Sequence, residues 1–255
     1  MVSPLSFIDP TATIGKNVEI GPFCFIDKGV VIGDDCVLMN GVTILEGSRI
    51  GRGNRFFPGA VIGAIPQDLK FRGEETTAEI GDGNTFRENT TMNRGTAAKG
   101  RTVVGNNNLF MEGMHIGHDV IIGNRCIIGN STKLAGEVVI DDNAILSANV
   151  LVHQFCHIGS LCMVSGGSRT GQDIPPFVTA AREPIAYCGL NLVGLRRAGF
   201  EREKIDQIHD TYRILYDLKL LFEERLAKVE AEIPASKERD YILHFFRTSS
   251  RGIIS

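Results

Sequence analysis

Large apolar residues recur at every sixth position through the first quarter of the chain: Ile14, Ile20, Ile26, Ile32, Leu38, Ile44, Ile50, Phe56 and Ile62. The phase returns at Ile80, Phe86 and Met92, then runs from Val104 through Phe110, Ile116, Ile122, Ile128, Leu134, Ile140, Leu146, Val152 and Ile158 to Val164. Four positions after many of these stands a smaller residue, as in Val18, Cys24, Val30, Cys36 and Val42, and later Val120, Cys126, Thr132, Val138 and Ala144. A period of six matches neither the 3.6 of a helix nor the 2 of a long strand. It suits very short strands separated by turns, each flat side sending one large and one small residue inward. Gly often follows the large residue (Gly15, Gly21, Gly33, Gly51, Gly117, Gly123, Gly129), which reads as a backbone requirement rather than as flexibility.

This pattern resembles the hexapeptide-repeat transferases. The resemblance implies an all-β left-handed parallel β-helix, a triangular prism whose coils run against the usual crossover hand. Three six-residue sides make a coil of about 18 residues, so residues that far apart in sequence stack in columns about 4.8 Å apart. Two segments lack repeat composition, 64–78 and 94–102, and excursions of this kind gather on one face and carry binding groups. After Gly171 the repeat is expected to stop, with a break at Pro175-Pro176. Further on, Ile205, Ile208, Tyr212 and Leu215 form an amphipathic stripe, followed by a charged helix near 220–231 and a last helix ending near Arg247. The expected organisation is a β-helix over 1–185 with two loop excursions, closed by a C-terminal α-helical cap over 186–255.

At 255 residues the chain can bury a large core. A net charge of −3 offers no basic surface for nucleic acid. No long apolar run suggests membrane insertion, and the first residues lack the pattern of an export signal, so a cytoplasmic location is expected. Five of the six Cys (Cys24, Cys36, Cys126, Cys156, Cys162) fall on the small inward position, as buried reduced thiols would. No spacing suggests a disulfide or a metal site, and no cofactor is implied.

Candidate chemistry centres on Met111-Glu112-Gly113-Met114-His115-Ile116-Gly117-His118-Asp119. Two imidazoles flank an inward Ile, and a carboxylate follows the second. Imidazole is the side chain matched to proton transfer near neutral pH, and a neighbouring carboxylate can fix its tautomer. Coil arithmetic puts Gly136 and then Gln154 above His118. A glycine beside a base leaves room for a carbonyl and exposes a backbone N–H, as an oxyanion hole requires.

Several segments carry a closer resemblance over the whole length: Gln67-Asp68-Leu69-Lys70, Asn93-Arg94-Gly95-Thr96, His115-Ile116-Gly117-His118-Asp119, Leu134-Ala135-Gly136, Val152-His153-Gln154-Phe155-Cys156, Gln172-Asp173-Ile174-Pro175-Pro176, Gly194-Leu195-Arg196-Arg197-Ala198-Gly199-Phe200 and Phe245-Phe246-Arg247-Thr248-Ser249-Ser250-Arg251-Gly252. They are similar to the UDP-N-acetylglucosamine O-acyltransferase family of lipid A biosynthesis. The resemblance implies transfer of a 3-hydroxyacyl chain from acyl carrier protein to the sugar 3-hydroxyl of UDP-N-acetylglucosamine, in a homotrimer whose clefts lie between subunits. By matching position it implies catalysis by His118 as base, Asp119 as its orienting partner and the Gly136 amide as oxyanion donor. It further implies substrate contacts from Gln67, Asp68, Lys70, His115, His153, Gln154, Asn191, Arg196 and Arg197. Gly166 matches the position that limits acyl-chain length, where glycine implies a long chain. The chain departs from the family pattern at Asn93, Glu137, Val193 and Ala198. Arg196, Arg197, Arg202 and Lys204 could dock an acidic carrier protein, or simply form a solvated helix face.

Two rival enzymes use the same prism. A sibling N-acyltransferase would act on a 3-amino sugar nucleotide, which the same base could serve. A γ-type carbonic anhydrase would hold zinc through histidines at subunit boundaries, and the His spacing here supplies no third ligand.

Overall fold

The computed structural model describes all 255 residues. Except at Ile62 and Met92, each large apolar position ends a strand of mostly two residues, such as Glu19–Ile20, Phe25–Ile26 and Val31–Ile32. In each of these the first residue faces solvent and the second is buried. Every third strand of the repeat shares a sheet, giving three sheets of 9, 8 and 10 strands that are parallel except for the last strand of the third. Register follows the coil: Ile26 pairs with Ile44, and Ile128 with Leu146. The result is a left-handed parallel β-helix.

The corners explain the polar positions of the repeat. Asn17, Asp35, Asn143 and Asn149 have φ between 55° and 60°, a left-handed turn that short polar side chains tolerate. The glycines after the apolar residues serve a different need. A Cβ on Gly123 would lie 2.9 Å from the Asp142 backbone nitrogen of the next coil and 2.3 Å from Asp142 Oδ1. Close approach of coils, not unusual φ, requires glycine there.

Inside one side of the prism, three buried asparagines replace the small inward residue and form a ladder. Asn84 Nδ2 donates to Asn54 Oδ1 (3.0 Å) and Asn108 Nδ2 donates to Asn84 Oδ1 (3.0 Å). Beside them Phe56, Phe86 and Phe110 stack at centroid separations of 5.0 and 4.6 Å. Identical side chains in register gain from each repeat of the coil, as in steric zippers. The five inward cysteines are buried and unpaired.

Both excursions leave the same corner, between the nine-stranded and the eight-stranded sheet. The first spans 65–76, between strands Val61–Ala64 and Thr77–Ile80; the second spans 94–100, between Thr91–Asn93 and Arg101–Val104. The edges of the expected windows are therefore strand ends. Across them Ile50 pairs with Ile80 and Ile80 with Val104, so whole hexapeptide multiples are inserted and the inward face stays inward.

The repeat does not stop at Gly171. Ile158 bridges Ile174, and Met163 and Val164 pair with Thr179 and Ala180, so a further irregular coil forms through Pro175-Pro176. Strand Ala186–Leu190 then returns antiparallel along Val178–Ala181, carrying sheet structure past the expected boundary at 185. Four helices follow: α1 Leu192–Arg197, α2 Arg202–Leu215, α3 Phe222–Glu232 and α4 Lys237–Thr248. The stripe Ile205, Ile208, Tyr212 and Leu215 is buried as expected.

Polar contacts fasten the helices to the prism. Tyr212 donates its O–H to the Pro176 carbonyl (2.5 Å), and Tyr241 on α4 donates to Asp141 Oδ2 (2.5 Å), which also accepts from His157 Nε2 (2.8 Å). The chain end bridges back through Ile253 to Asp173. No helix is long and apolar enough to cross a membrane.

Candidate active site

His115–Ile116 pairs with Lys133–Leu134, and that with Leu151–Val152, which places His118, Gly136 and Gln154 in successive coils at one corner. The expected column is therefore present. It lies at the corner from which both excursions depart.

His118 Nδ1 is 2.9 Å from Asp119 Oδ2, and the Asp119 side chain is fully buried. A carboxylate acceptor places the proton on Nδ1 and leaves Nε2 as the basic nitrogen. Asp119 occupies the left-handed corner position with φ of 60°, which turns its side chain toward the preceding coil. There the second excursion meets it: Thr96 donates from its backbone N to Oδ1 (2.9 Å) and from its hydroxyl to Oδ2 (2.5 Å). Asp119 in turn donates its own N–H to Thr102 Oγ1 (2.8 Å).

Gly136 lies against the opposite side of the imidazole. A Cβ there would fall 2.4 Å from both His118 Cε1 and Nε2, so only glycine admits the ring. Flanking amides are engaged, Ala135 N with Val152 O (3.1 Å) and Glu137 N with His118 O (2.9 Å), whereas the Gly136 N–H makes no hydrogen bond within the chain. A basic nitrogen beside a free donor can remove a proton from a nucleophile while the donor stabilises charge gathering on a carbonyl oxygen.

On the outer face of the nine-stranded sheet a groove of about 670 Å³ is lined by His115, Lys133, Leu151, His153 and Arg169 among others. His118 is not part of its wall, but Ala135, next to Gly136, is. His115 Nδ1 is 2.7 Å from Thr91 Oγ1. Burial first, then the positive charge of Lys133 and the nearby His118, hold the His115 imidazole below its ordinary 6.5. His153 Nδ1 donates to the Gln154 carbonyl (3.1 Å), and Arg251 Nη2 lies 3.5 Å from the same nitrogen. Arg251 arrives on the C-terminal segment and donates from Nε to Gly171 O (3.2 Å).

Other expected site residues lie elsewhere. Gln67 and Lys70 are exposed on the first excursion, where Asp68 Oδ1 accepts from Lys70 N (2.9 Å), and no hydrogen bond ties these three to the His118 column. Asn191 is buried and caps α1: its Oδ1 accepts from Gly194 N (3.0 Å) and its Nδ2 donates to Leu161 O (2.9 Å). Both ends of its amide are thus engaged. Arg196 and Arg197 are exposed in the last turn of α1. A Cβ on exposed Gly166 would meet Ala148 O at 3.1 Å, so a larger residue would crowd the neighbouring coil. No group of three or more His, Cys, Asp or Glu side chains is arranged to hold a metal ion.

Sequence reasoning gave Thr96, Thr102, Lys133 and Arg251 no role. The coil rule could have found Lys133, which sits one coil above His115. It could not have found Thr96, because the excursion breaks the count.

Comparison with known proteins agrees with this geometry. A model described as UDP N-acetylglucosamine O-acyltransferase, domain 2, matches residues 173–254, and hexapeptide-transferase models match 29–64 and 101–136. An acyl-[acyl-carrier-protein]–UDP-N-acetylglucosamine O-acyltransferase of Pseudomonas syringae pv. syringae is 44% identical over 100% of this chain and 99% of its own length. A UDP-N-acetylglucosamine acyltransferase structure from Bacteroides fragilis superposes with a TM-score of 0.98 at 64% identity, covering 100% of both chains. One from Francisella novicida gives 0.96 at 39% identity, over 100% of this chain and 94% of that one. With matches this complete, prism, cap and corner column together, the chain belongs to the UDP-N-acetylglucosamine O-acyltransferase family.

Proposed function

We propose that the chain transfers a 3-hydroxyacyl group from the thioester of acyl carrier protein to the sugar 3-hydroxyl of UDP-N-acetylglucosamine, a step of lipid A biosynthesis, with His118 as general base. The observation that carries this reading is the Asp119–His118–Gly136 arrangement: an imidazole whose Nδ1 faces a carboxylate and whose Nε2 lies beside an unengaged backbone N–H. His118 Nε2 takes the hydroxyl proton as the oxygen attacks the thioester carbonyl carbon. The Gly136 N–H receives the charge gathering on the carbonyl oxygen. Collapse of the tetrahedral intermediate breaks the C–S bond, and the leaving thiolate takes the proton back from His118. No metal enters these steps and no acyl-enzyme forms.

Gln67, Asp68 and Lys70 fit the acceptor, Lys70 as a point charge for phosphate. His115, His153 and Gln154 line the approach to the column, and Gly166 leaves room for a long chain. Asn191, Arg196 and Arg197 stand at the cap, where the arginines fit phosphate or the acidic carrier. No hydrogen bond ties Gln67, Asp68 or Lys70 to His118 of the same chain, and this supports a site completed in a homotrimer by the neighbouring subunit. This fits a cytoplasmic enzyme that releases its product without entering the membrane.

The test is a direct assay with defined acyl-carrier thioesters and paired acceptors, UDP-N-acetylglucosamine and its 3-amino analogue. Transfer to the hydroxyl, with His118→Ala losing roughly 10² or more in kcat, is expected. Acylation of the amine alone, or near-normal turnover in His118→Ala, rejects the reading. Mixed trimers of Lys70→Ala and His118→Ala chains should regain activity that neither shows alone; failure to do so removes the shared site.

A further inference from the structure

Asp119 Oδ2, the oxygen that accepts from His118 Nδ1 at 2.9 Å, also accepts from the Thr96 hydroxyl at 2.5 Å. Its other oxygen accepts from the Thr96 backbone N at 2.9 Å. The hydroxyl has little freedom to turn elsewhere, because Thr96 is 8% exposed and its Oγ1 already accepts from Ala98 N (3.2 Å). Gly100 N closes the turn on the Thr96 carbonyl (2.7 Å). A residue carried by an excursion from the solenoid is thus clamped onto the partner of the candidate base.

Sharing one carboxylate oxygen has a chemical consequence. A hydrogen bond to that oxygen draws off negative charge that would otherwise stabilise a protonated imidazole, so the hydroxyl weakens the pull of Asp119 on His118. We propose that Thr96 is a positioning residue that sets the basicity of His118 through Asp119, so that its hydroxyl keeps the imidazole less basic than the carboxylate alone would make it. The inference rests on the reading of His118 as base. The other charged and titratable groups near this corner are His115, on the strand that leads into it, and the Lys99–Glu137 pair, 3.9 Å apart, and none of them hydrogen-bonds to Asp119.

Thr96→Val keeps the shape and removes the hydroxyl; Thr96→Ser keeps the hydroxyl. The His118 ring is followed by NMR in labelled full-length protein, its signal assigned by its loss in His118→Gln, and the pH profile of kcat/KM is recorded alongside. Thr96→Val should raise the His118 titration midpoint by about 0.5 or more, move the acid limb of the rate profile the same way, and keep the plateau within about tenfold of normal. Thr96→Ser should do neither. An unmoved midpoint in Thr96→Val overturns the inference. So does a serine variant that shifts as far as valine, or a fall in kcat with no change of midpoint, each of which marks Thr96 as structural only. If the ring midpoint moves and the rate profile does not, the Thr96 coupling stands and the assignment of His118 as base falls.

Discussion

The imidazole of His118 occupies the space that a Cβ on Gly136 would need, 2.4 Å from Cε1 and Nε2. Main-chain bonds on either side hold the Gly136 backbone, so the ring is the part that must yield. Gly136→Ala should swing His118 off its Asp119 bond and lower kcat by roughly 10² or more, with a smaller effect on thermal stability because the displacement falls on one side chain outside the apolar core. Paired kinetics and melting curves check this; normal turnover in the alanine variant would show that the ring does not work from this position.

His115 gives a prediction with a definite sign. Its imidazole is held below its ordinary 6.5 by burial first, then by Lys133 and His118. In the unfolded chain that restraint is absent, so below about 6.5 the unfolded state binds the proton more readily than the native state. Stability from this group is complete above that value and is lost as pH falls through it. His115→Gln should therefore flatten the dependence of denaturation free energy on pH between about 7 and 5, and Lys133→Met should raise the His115 midpoint in an NMR titration.

Asn84 sits at the centre of the internal ladder. It donates to Asn54 Oδ1 (3.0 Å) and Gly105 O (2.9 Å) and accepts from Asn108 N (2.9 Å) and Asn108 Nδ2 (3.0 Å), with no exposure. Truncation leaves several buried polar groups without partners. Asn84→Ala should lower unfolding free energy by about 3 kcal/mol or more, measured by denaturant titration, while an exposed corner change such as Asn17→Gly should cost much less.

The thiols divide by burial. Cys126 is pushed up to about 12 and Cys156 to about 11, chiefly by burial, and Cys162, Cys24 and Cys36 are raised for the same reason. Cys188 alone is partly exposed and lines a cavity with Arg196 and Arg202. A thiol reagent near pH 8 should label one cysteine per native chain quickly and the other five only on unfolding; Cys188→Ser should abolish the fast phase.

The six-residue period was enough to place most of the prism. Because each coil repeats the same backbone path, residues 18 apart became neighbours, and the pairing of His118 with Gly136 and Gln154 could be counted along the chain. Counting failed where the path stopped repeating. The coil through Ile174 and Thr179 is shortened and carries no clean hexapeptide, so the β-helix runs on past Gly171 and the sheet reaches Leu190. Asn191 and Asp68 were named by resemblance rather than by counting, and the helix cap and turn that their side chains make depend on local backbone geometry that no period predicts.

By itself the sequence determined what depends on regular spacing: which side chains face in, which coils are adjacent, and which imidazole stands beside a carboxylate and a glycine. Only the tertiary structure decided what depends on irregular chain. It brought Thr96 from an excursion onto Asp119, and it returned the C-terminal segment along Asp173 so that Arg251 reaches His153. The physical reason is that a repeat fixes neighbours through a constant rise and turn, whereas a loop or a chain end has no such constant and finds its place through the particular hydrogen bonds that hold it.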